Sequence, residues 1–111
     1  MNYFGTDGIR KVSSFFDESF LSAFCNAISS LHGVERIVIG RDTRTSGSKI
    51  ERFLAEKLAS HGKRVYVSGI IPSPALSYNV VKLSCDLGIM ISASHNPPED
   101  NGIKLFSRSG A

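Results

Sequence analysis

The residues best suited to chemistry lie between positions 88 and 106, where an apolar strand-like run leads into a polar loop that contains a Pro-Pro pair. Ser94 and His95 stand in that loop, and Lys104 follows after the chain has reversed. A serine hydroxyl near a lysine ammonium and an imidazole is able to accept and return a phosphoryl group. Such a transfer depends mainly on positioning and charge stabilisation.

The same residue types are also common in turns, so on spacing alone a purely structural loop is the simpler interpretation. The distribution of cations adds a second indication. Six of them lie in or beside turns rich in glycine, serine and threonine: Arg10, Lys11, Arg41, Arg44, Lys104 and Arg108. Cations gathered in polar turns favour a small anionic ligand, and ordinary surface charge is the alternative.

Composition limits the class of protein. The 111 residues are 41% hydrophobic and 21% charged with a net charge of +3, values of one ordinary globular domain. The sequence lacks the interleaved basic and aromatic residues of a nucleic-acid binder, so nucleic acid is not expected as a partner. It also lacks a signal peptide and an apolar run of about 20 residues, so a membrane is not expected as a partner either. Cys25 and Cys85 are isolated and are expected to be buried free thiols in a cytoplasmic protein.

Strand-like and helix-like patterns alternate along the chain. Helices are predicted at 17–32, from Ser46 or Ser48 to His61-Gly62, and from Ser73-Pro74 onward. A short strand with a Gly-rich break is predicted at Tyr3–Phe4 and Gly8–Val12. The main strands are predicted at Arg36–Gly40, Arg64–Val67, Leu87–Ile91 and Ile103–Phe106. This order predicts an α/β fold, a three-layer α/β/α domain with a mixed, mostly parallel four-stranded sheet.

Two polar loops, Arg41–Gly47 and Ser92–Asn101, each follow a predicted strand. Ligands of open α/β sheets bind beyond the carboxyl ends of strands, so these loops are the candidate site. In the first loop, Arg41, Asp42 and Arg44 are interpreted as a salt-bridged scaffold. The glycine fingerprint of a dinucleotide fold and the Gly-Lys-Ser/Thr of a phosphate loop are both missing from the sequence, which disfavours a nucleotide-binding domain.

Three segments together resemble one enzyme family, the α-D-phosphohexomutases. They are Tyr3-Phe-Gly-Thr-Asp-Gly-Ile-Arg10, Val38-Ile-Gly-Arg-Asp-Thr-Arg-Thr-Ser-Gly47, and Ser92-Ala-Ser-His-Asn-Pro97 with Asn101-Gly-Ile-Lys104. Their forms are most similar to the branch of the family that acts on glucosamine phosphates. Lys11 departs from the family pattern, which usually has glycine after the arginine.

The resemblance implies roles for individual residues. Ser94 matches the serine that carries a phosphate in the resting enzyme, and that phosphate also supplies a ligand to Mg²⁺. Lys104 and Arg10 match positions near the phosphoserine that serve proton transfer and charge stabilisation. A lysine acting as general base would need a depressed pKa.

Three further positions carry less specific implications. His95 matches the histidine next to the nucleophile, and either orients phosphate or makes structural hydrogen bonds within the loop. Thr6 and Asp7 are expected to approach the sugar. The sequence has no Asp-x-Asp-x-Asp run, so the remaining Mg²⁺ ligands are expected in another domain.

The reaction implied by the resemblance interconverts glucosamine 6-phosphate and glucosamine 1-phosphate through a 1,6-bisphosphate. Activity on mannose or glucose phosphates and a non-catalytic sugar-phosphate-binding module are the alternatives. Because the family uses four domains, residues 1–111 are expected to be its first domain, incomplete and inactive alone. Exposed apolar surface on such a fragment would favour self-association.

Overall fold

The computed structural model describes residues 8–111, which form three α-helices and five strands. The strands are β1 (Ile9–Val12), β2 (Arg36–Arg41), β3 (Arg64–Ile70), β4 (Leu87–Ile91) and β5 (Asp100–Ser107). The helices are α1 (Glu18–Ser29), α2 (Gly47–Ser60) and α3 (Ser73–Lys82), with a 3₁₀ turn at Ser13–Phe15. The expected α/β class is therefore confirmed. None of the helices in this part of the chain is long and apolar enough to span a bilayer.

The sheet has the order β1-β5-β4-β2-β3. Strand β2 pairs in parallel with both β3 and β4, whereas β5 runs antiparallel to its neighbours β4 and β1. Four strands thus share one direction and β5 alone is reversed, which confirms a mixed, mostly parallel sheet. The strand count is five rather than four because the short β1, mostly exposed and recognisable only beside its partner, joins the sheet at one edge.

The three layers arise from the alternation of side chains along the central strands. In β4, Ile89 and Ile91 pack with the apolar faces of α1 and α2, and Met90 packs with α3 on the opposite face. Helix α3 lies close to the sheet: a Cβ added at Gly88 would come within 2.5 Å of a methyl group of Val80. The core is therefore divided by the sheet into two apolar clusters.

Local sequence signals predicted the starts of α1 and α2, but the capping box predicted for α2 does not form. Asp17 caps α1 as expected, its carboxylate accepting the backbone N–H of Phe20 at 2.8 Å, but the helix ends at Ser29 rather than at residue 32. Of the two predicted starts of α2, the structure has Ser46 as the N-cap and Gly47 as the first helical residue. The capping box of Ser48 and Glu51 is wrong, because the N-cap makes no side-chain hydrogen bond. The carboxylate of Glu51 turns inward to an arginine instead.

Asp86 secures the start of β2. Its Oδ2 accepts the backbone N–H groups of Arg36 at 3.0 Å and Glu35 at 2.9 Å, and Oδ1 lies 3.6 Å from a guanidinium nitrogen of Arg108. The two backbone N–H groups, with a smaller contribution from the arginines, lower the pKa of Asp86 below its ordinary value of 3.8. The carboxylate therefore ties β2 to the turn that enters β4.

The Asp86→Asn variant is expected to lower the free energy of unfolding at neutral pH by about 1–2 kcal/mol, because two hydrogen bonds lose their charged acceptor. The folded-state pKa is depressed, so this contribution is present above pH 3.8 and is lost as the pH falls through the folded pKa. Urea unfolding across this pH range, with the exposed Glu56→Gln as control, measures the difference. Equal pH dependence in Asp86→Asn and wild type would contradict it.

Candidate functional site

Ser94 lies three residues beyond the end of β4, in an exposed position. Ala93 before it is fully buried, so the loop is anchored directly beside the serine. Ser94 has φ +54°, a left-handed conformation that is uncommon for residues other than glycine. Such a conformation costs on the order of 1–3 kcal/mol and persists only where surrounding contacts impose it.

A chain of hydrogen bonds holds the backbone entering Ser94. The Ser94 N–H donates to Ser92 Oγ at 3.1 Å, and the Ser92 hydroxyl donates to Asp42 Oδ2 at 2.8 Å. The Asp42 N–H in turn donates to the carbonyl of Ile91 at 3.1 Å. The hydroxyl of Ser92 is therefore engaged twice in a half-buried position, and Ser94 carries the exposed hydroxyl of the pair.

Arg44 gathers the carbonyl groups of this loop. Its Nη2 donates to the carbonyls of Ser94 at 2.7 Å and Asn96 at 3.0 Å. Its Nη1 donates to the carbonyls of Pro97 and Asp100, the latter at 3.3 Å. A single guanidinium thus closes the loop from one end to the other.

Asp42 fixes Arg44 in place, as the predicted scaffold requires. Asp42 Oδ2 accepts from Arg44 Nε at 3.0 Å, and Oδ1 accepts the Arg44 backbone N–H at 3.1 Å. Arg41 belongs to a different pair, because its Nε donates to Glu51 Oε1 at 3.1 Å. The second Oε of Glu51 is buried without a partner among residues 8–111.

Arg10 and Lys104 lie on one face of the sheet. Arg10 pairs with Gly102 across β1 and β5, and Lys104 is two positions further along β5. The Arg10 Nη2 is 3.5 Å from Ser94 Oγ, a long contact that places a cation beside the hydroxyl. Lys104 is half-buried, and its ammonium lies 5.3 Å from the ring centroid of Phe106. Their catalytic roles stay predictions.

The other expected site residues are placed less tightly. His95 is exposed, and within residues 8–111 its side chain makes no hydrogen bond or ion pair. Thr6 and Asp7 lie outside the described residues. Lys11, the departure from the family pattern, sits in β1 opposite Asn101 without a positive φ, so this backbone does not require glycine there.

A cleft of about 520 Å³ opens beside Ser94. Its lining includes Thr43 and Thr45 from the first polar loop and Asn96 and Pro98 from the second. The two loops that follow β2 and β4 therefore meet beyond the carboxyl ends of these strands, as predicted. A larger cleft, about 610 Å³, lies between the 3₁₀ turn, α1 and α2 and contains none of the expected site residues.

Asn101 was predicted as a loop residue, but it lies in β5 and has a structural role that the sequence did not reveal. It is fully buried; its Nδ2 donates to Ser46 Oγ at 2.7 Å, and its Oδ1 accepts the Gly102 N–H at 2.8 Å. The far end of the Ser92–Asn101 loop is thereby fixed to the start of α2. In the sequence, the position of Asn101 just before Gly102 in the third motif was the indication that this residue has a specific role.

The side chains of residues 8–111 do not form a metal site by themselves. No group of three or more His, Cys, Asp or Glu side chains within residues 8–111 is arranged to hold a metal ion. The role of Ser94 as a carrier whose phosphate oxygens would be metal ligands stays a prediction. Further ligands for Mg²⁺ would come from other parts of the protein.

Comparison with known proteins decides the family. The family model described as Phosphoglucomutase/phosphomannomutase, alpha/beta/alpha domain I, matches residues 1–111. The chain belongs to this family. The match accounts for the three sequence motifs and for the layer order of the fold.

Several similar curated proteins are phosphoglucosamine mutases. The chain is 44% identical to the phosphoglucosamine mutase of Prochlorococcus marinus, covering 99% of this chain and 24% of the relative. It is 46% identical to the phosphoglucosamine mutase of Bartonella tribocorum, covering 97% of this chain and 25% of the relative. The chain thus spans about a quarter of the length of these phosphohexomutases.

Solved structures give the same fold. A Thermus thermophilus protein described as a phosphomannomutase superposes with a TM-score of 0.84 at 33% identity, over 97% of this chain and 26% of that one. A phosphoglucomutase/phosphomannomutase family protein from Burkholderia thailandensis gives 0.82 at 30% identity, over 98% and 26%. The similarity therefore covers nearly all of this chain.

The Asn101→Ala variant is expected to lower the free energy of unfolding by about 1–3 kcal/mol, because it leaves the Gly102 N–H unpaired in a buried position. Chemical denaturation with the exposed Asn26→Ala as control measures this loss. The prediction fails if the two variants are destabilised equally.

Proposed function

We propose that this chain is the phosphoserine-bearing domain of a phosphoglucosamine mutase. In this proposal Ser94 carries the phosphoryl group between the 6- and 1-oxygens of glucosamine phosphate. The observation that carries it is the exposed Ser94 hydroxyl, held at φ +54° beyond the end of β4 with the Arg10 guanidinium 3.5 Å away. Position, fixed backbone and adjacent cation are the requirements of a phosphoryl carrier.

The chemistry divides into two matched half-reactions. In the first, a sugar hydroxyl oxygen forms a bond to phosphorus as the bond from phosphorus to Ser94 Oγ breaks, and the product is the 1,6-bisphosphate. In the second, Ser94 Oγ takes the phosphoryl group from the other sugar oxygen. Lys104 or its neighbour Arg10 faces the charge that develops, and Lys104 receives or returns the hydroxyl proton.

Mg²⁺ is the expected cofactor of the full reaction. It would neutralise charge on the transferring group when bound. Among the described residues, the phosphate on Ser94 would be its ligand. Arg10 and Arg44 remain the fixed cations that this domain itself supplies near the serine.

The amino sugar is favoured over other hexoses by the sequence comparison. The curated relatives at 41–46% identity are phosphoglucosamine mutases. Activity on mannose or glucose phosphates is the second candidate, favoured by the fold of the Thermus thermophilus protein described as a phosphomannomutase. Assays with glucosamine, mannose and glucose phosphates in parallel separate the two candidates, and the proposal requires the highest kcat/KM for glucosamine phosphate.

The cytoplasm is the proposed compartment. Cys25 and Cys85 are buried free thiols, and reducing conditions keep thiols in that state. Burial raises the pKa of Cys25 to about 11 and also raises the pKa of Cys85, so both are held as unreactive neutral thiols at physiological pH.

The Ser94→Ala variant removes the carrier oxygen and is expected to reduce mutase activity to background. The assay uses an enzyme of the relatives' full length that carries this chain as its first domain; the 111-residue chain alone is expected to show no multiple turnover, since other groups must position the substrate. Intact-mass analysis after incubation with glucosamine 1,6-bisphosphate should show one added phosphate in wild type and in the control Ser48→Ala, which changes an exposed serine on α2. A phosphorylated, active Ser94→Ala enzyme would transfer the role to Ser92.

The Lys104→Ala variant should slow transfer by about 10²–10⁴-fold if Lys104 acts as general acid or base. Arg10→Ala is expected to behave similarly because it removes the cation nearest the Ser94 hydroxyl. Both variants should still accept phosphate on Ser94, which separates slowed transfer from loss of the carrier. The exposed Lys82→Ala on α3 is the control. Wild-type rates in both variants would remove these residues from the mechanism.

A further inference from the structure

We propose that Arg44 is a positioning residue that holds Ser94 ready for phosphoryl transfer and does not itself bind the sugar phosphate. The inference rests on the proposed function of Ser94 as phosphoryl carrier. It concerns how that function is prepared in the fold. Arg44 belongs to the loop after β2, and it contacts Ser94 through the backbone carbonyl only.

The hydrogen bonds of Arg44 distinguish a positioning residue from one that binds the sugar phosphate. A guanidinium has five N–H donors and no acceptor. In this structure Nε donates to Asp42, Nη1 donates to the carbonyls of Pro97 and Asp100, and Nη2 donates to those of Ser94 and Asn96. Every donor is therefore taken, and the side chain is only 10% exposed. No donor is left for a phosphate oxygen.

Two contacts, one of them made by Arg44, fix the two peptide groups that flank Ser94. Its N–H is held by Ser92 Oγ, and its carbonyl is held by Arg44 Nη2. With both peptide planes fixed, φ and ψ of Ser94 have little freedom, so the direction of its Cα–Cβ bond is set. The left-handed conformation of a serine is imposed by this pair of contacts, which is how a strained backbone persists at a site.

Geometry, rather than charge alone, is the property that the proposal requires. Lysine keeps the positive charge but offers three donors from a single nitrogen, so it cannot span four carbonyls and a carboxylate. If Arg44 acted only through its charge on the Ser94 phosphate, lysine would restore function. If it acts by positioning, lysine would fail almost as completely as alanine.

The first measurement is amide hydrogen exchange on the 111-residue chain, comparing Arg44→Lys and Arg44→Ala with wild type. The amides of Asn96 and Asp100, which donate to carbonyls within the loop, should exchange at least about tenfold faster in both variants. Amides of the central strands should be unchanged in Arg44→Lys, which establishes that the fold is retained. The matched control is Arg52→Lys, an exposed arginine on α2.

The second measurement is steady-state kinetics in the full-length enzyme that carries this domain. Arg44→Lys should lower kcat by roughly 10²-fold, with KM changed less than about threefold, because misplacement of the carrier affects transfer and not sugar binding. Its kcat should lie within about tenfold of that of Arg44→Ala.

Two results would overturn the inference: near-wild-type kcat in Arg44→Lys, or loss of kcat with unchanged exchange in the loop. The proposed function is judged separately. If wild type never takes phosphate on Ser94, that function fails, and loop exchange still decides whether Arg44 fixes the serine.

Discussion

The site depends on one guanidinium, the largely buried side chain of Arg44. Arg44 brings four backbone carbonyls from Ser94 to Asp100 to a single cation, and Asp42 both neutralises that cation and orients it. Hydrogen bonds to charged groups contribute more than neutral ones, and removal of such a partner leaves carbonyls without their donor. The polar loop therefore has a defined shape although five of the ten residues from Ser92 to Asn101 are exposed.

The sheet makes this arrangement possible because it brings two strand ends together. Strands β2 and β4 are parallel neighbours, so the loops that contain Arg44 and Ser94 both begin at the carboxyl ends of these strands, on the same side of the molecule. Gly102 then allows β1 to approach: a Cβ there would lie 2.6 Å from the Ile9 carbonyl and 2.7 Å from that of Ser92. Any larger residue would push β1 and its Arg10 away from the serine.

Sequence patterns predicted the order of elements, the two polar loops and the position of Ser94, because these follow from periodicity and from segments with distinctive residues. Contacts between distant segments were not predictable in the same way. Ser48 and Glu51 have capping-box spacing, yet Glu51 pairs with Arg41, and the N-cap is Ser46, which makes no side-chain hydrogen bond. Asn101 has the sequence context of a loop residue, and only the packed structure shows that it is fully buried against the start of α2. In the same way, only the packed structure shows that all five N–H donors of the Arg44 guanidinium are engaged.

The most direct test of this account is solution NMR of the unliganded chain with ¹⁵N-labelled arginine. If Arg44 closes the loop before any ligand binds, its guanidinium protons should appear as separate, slowly exchanging signals with contacts to the loop from Ser94 to Asp100. The exposed Arg52 should show averaged, rapidly exchanging signals. Averaged signals from Arg44 that match those of Arg52 would contradict the claim that this residue fixes the loop that carries Ser94.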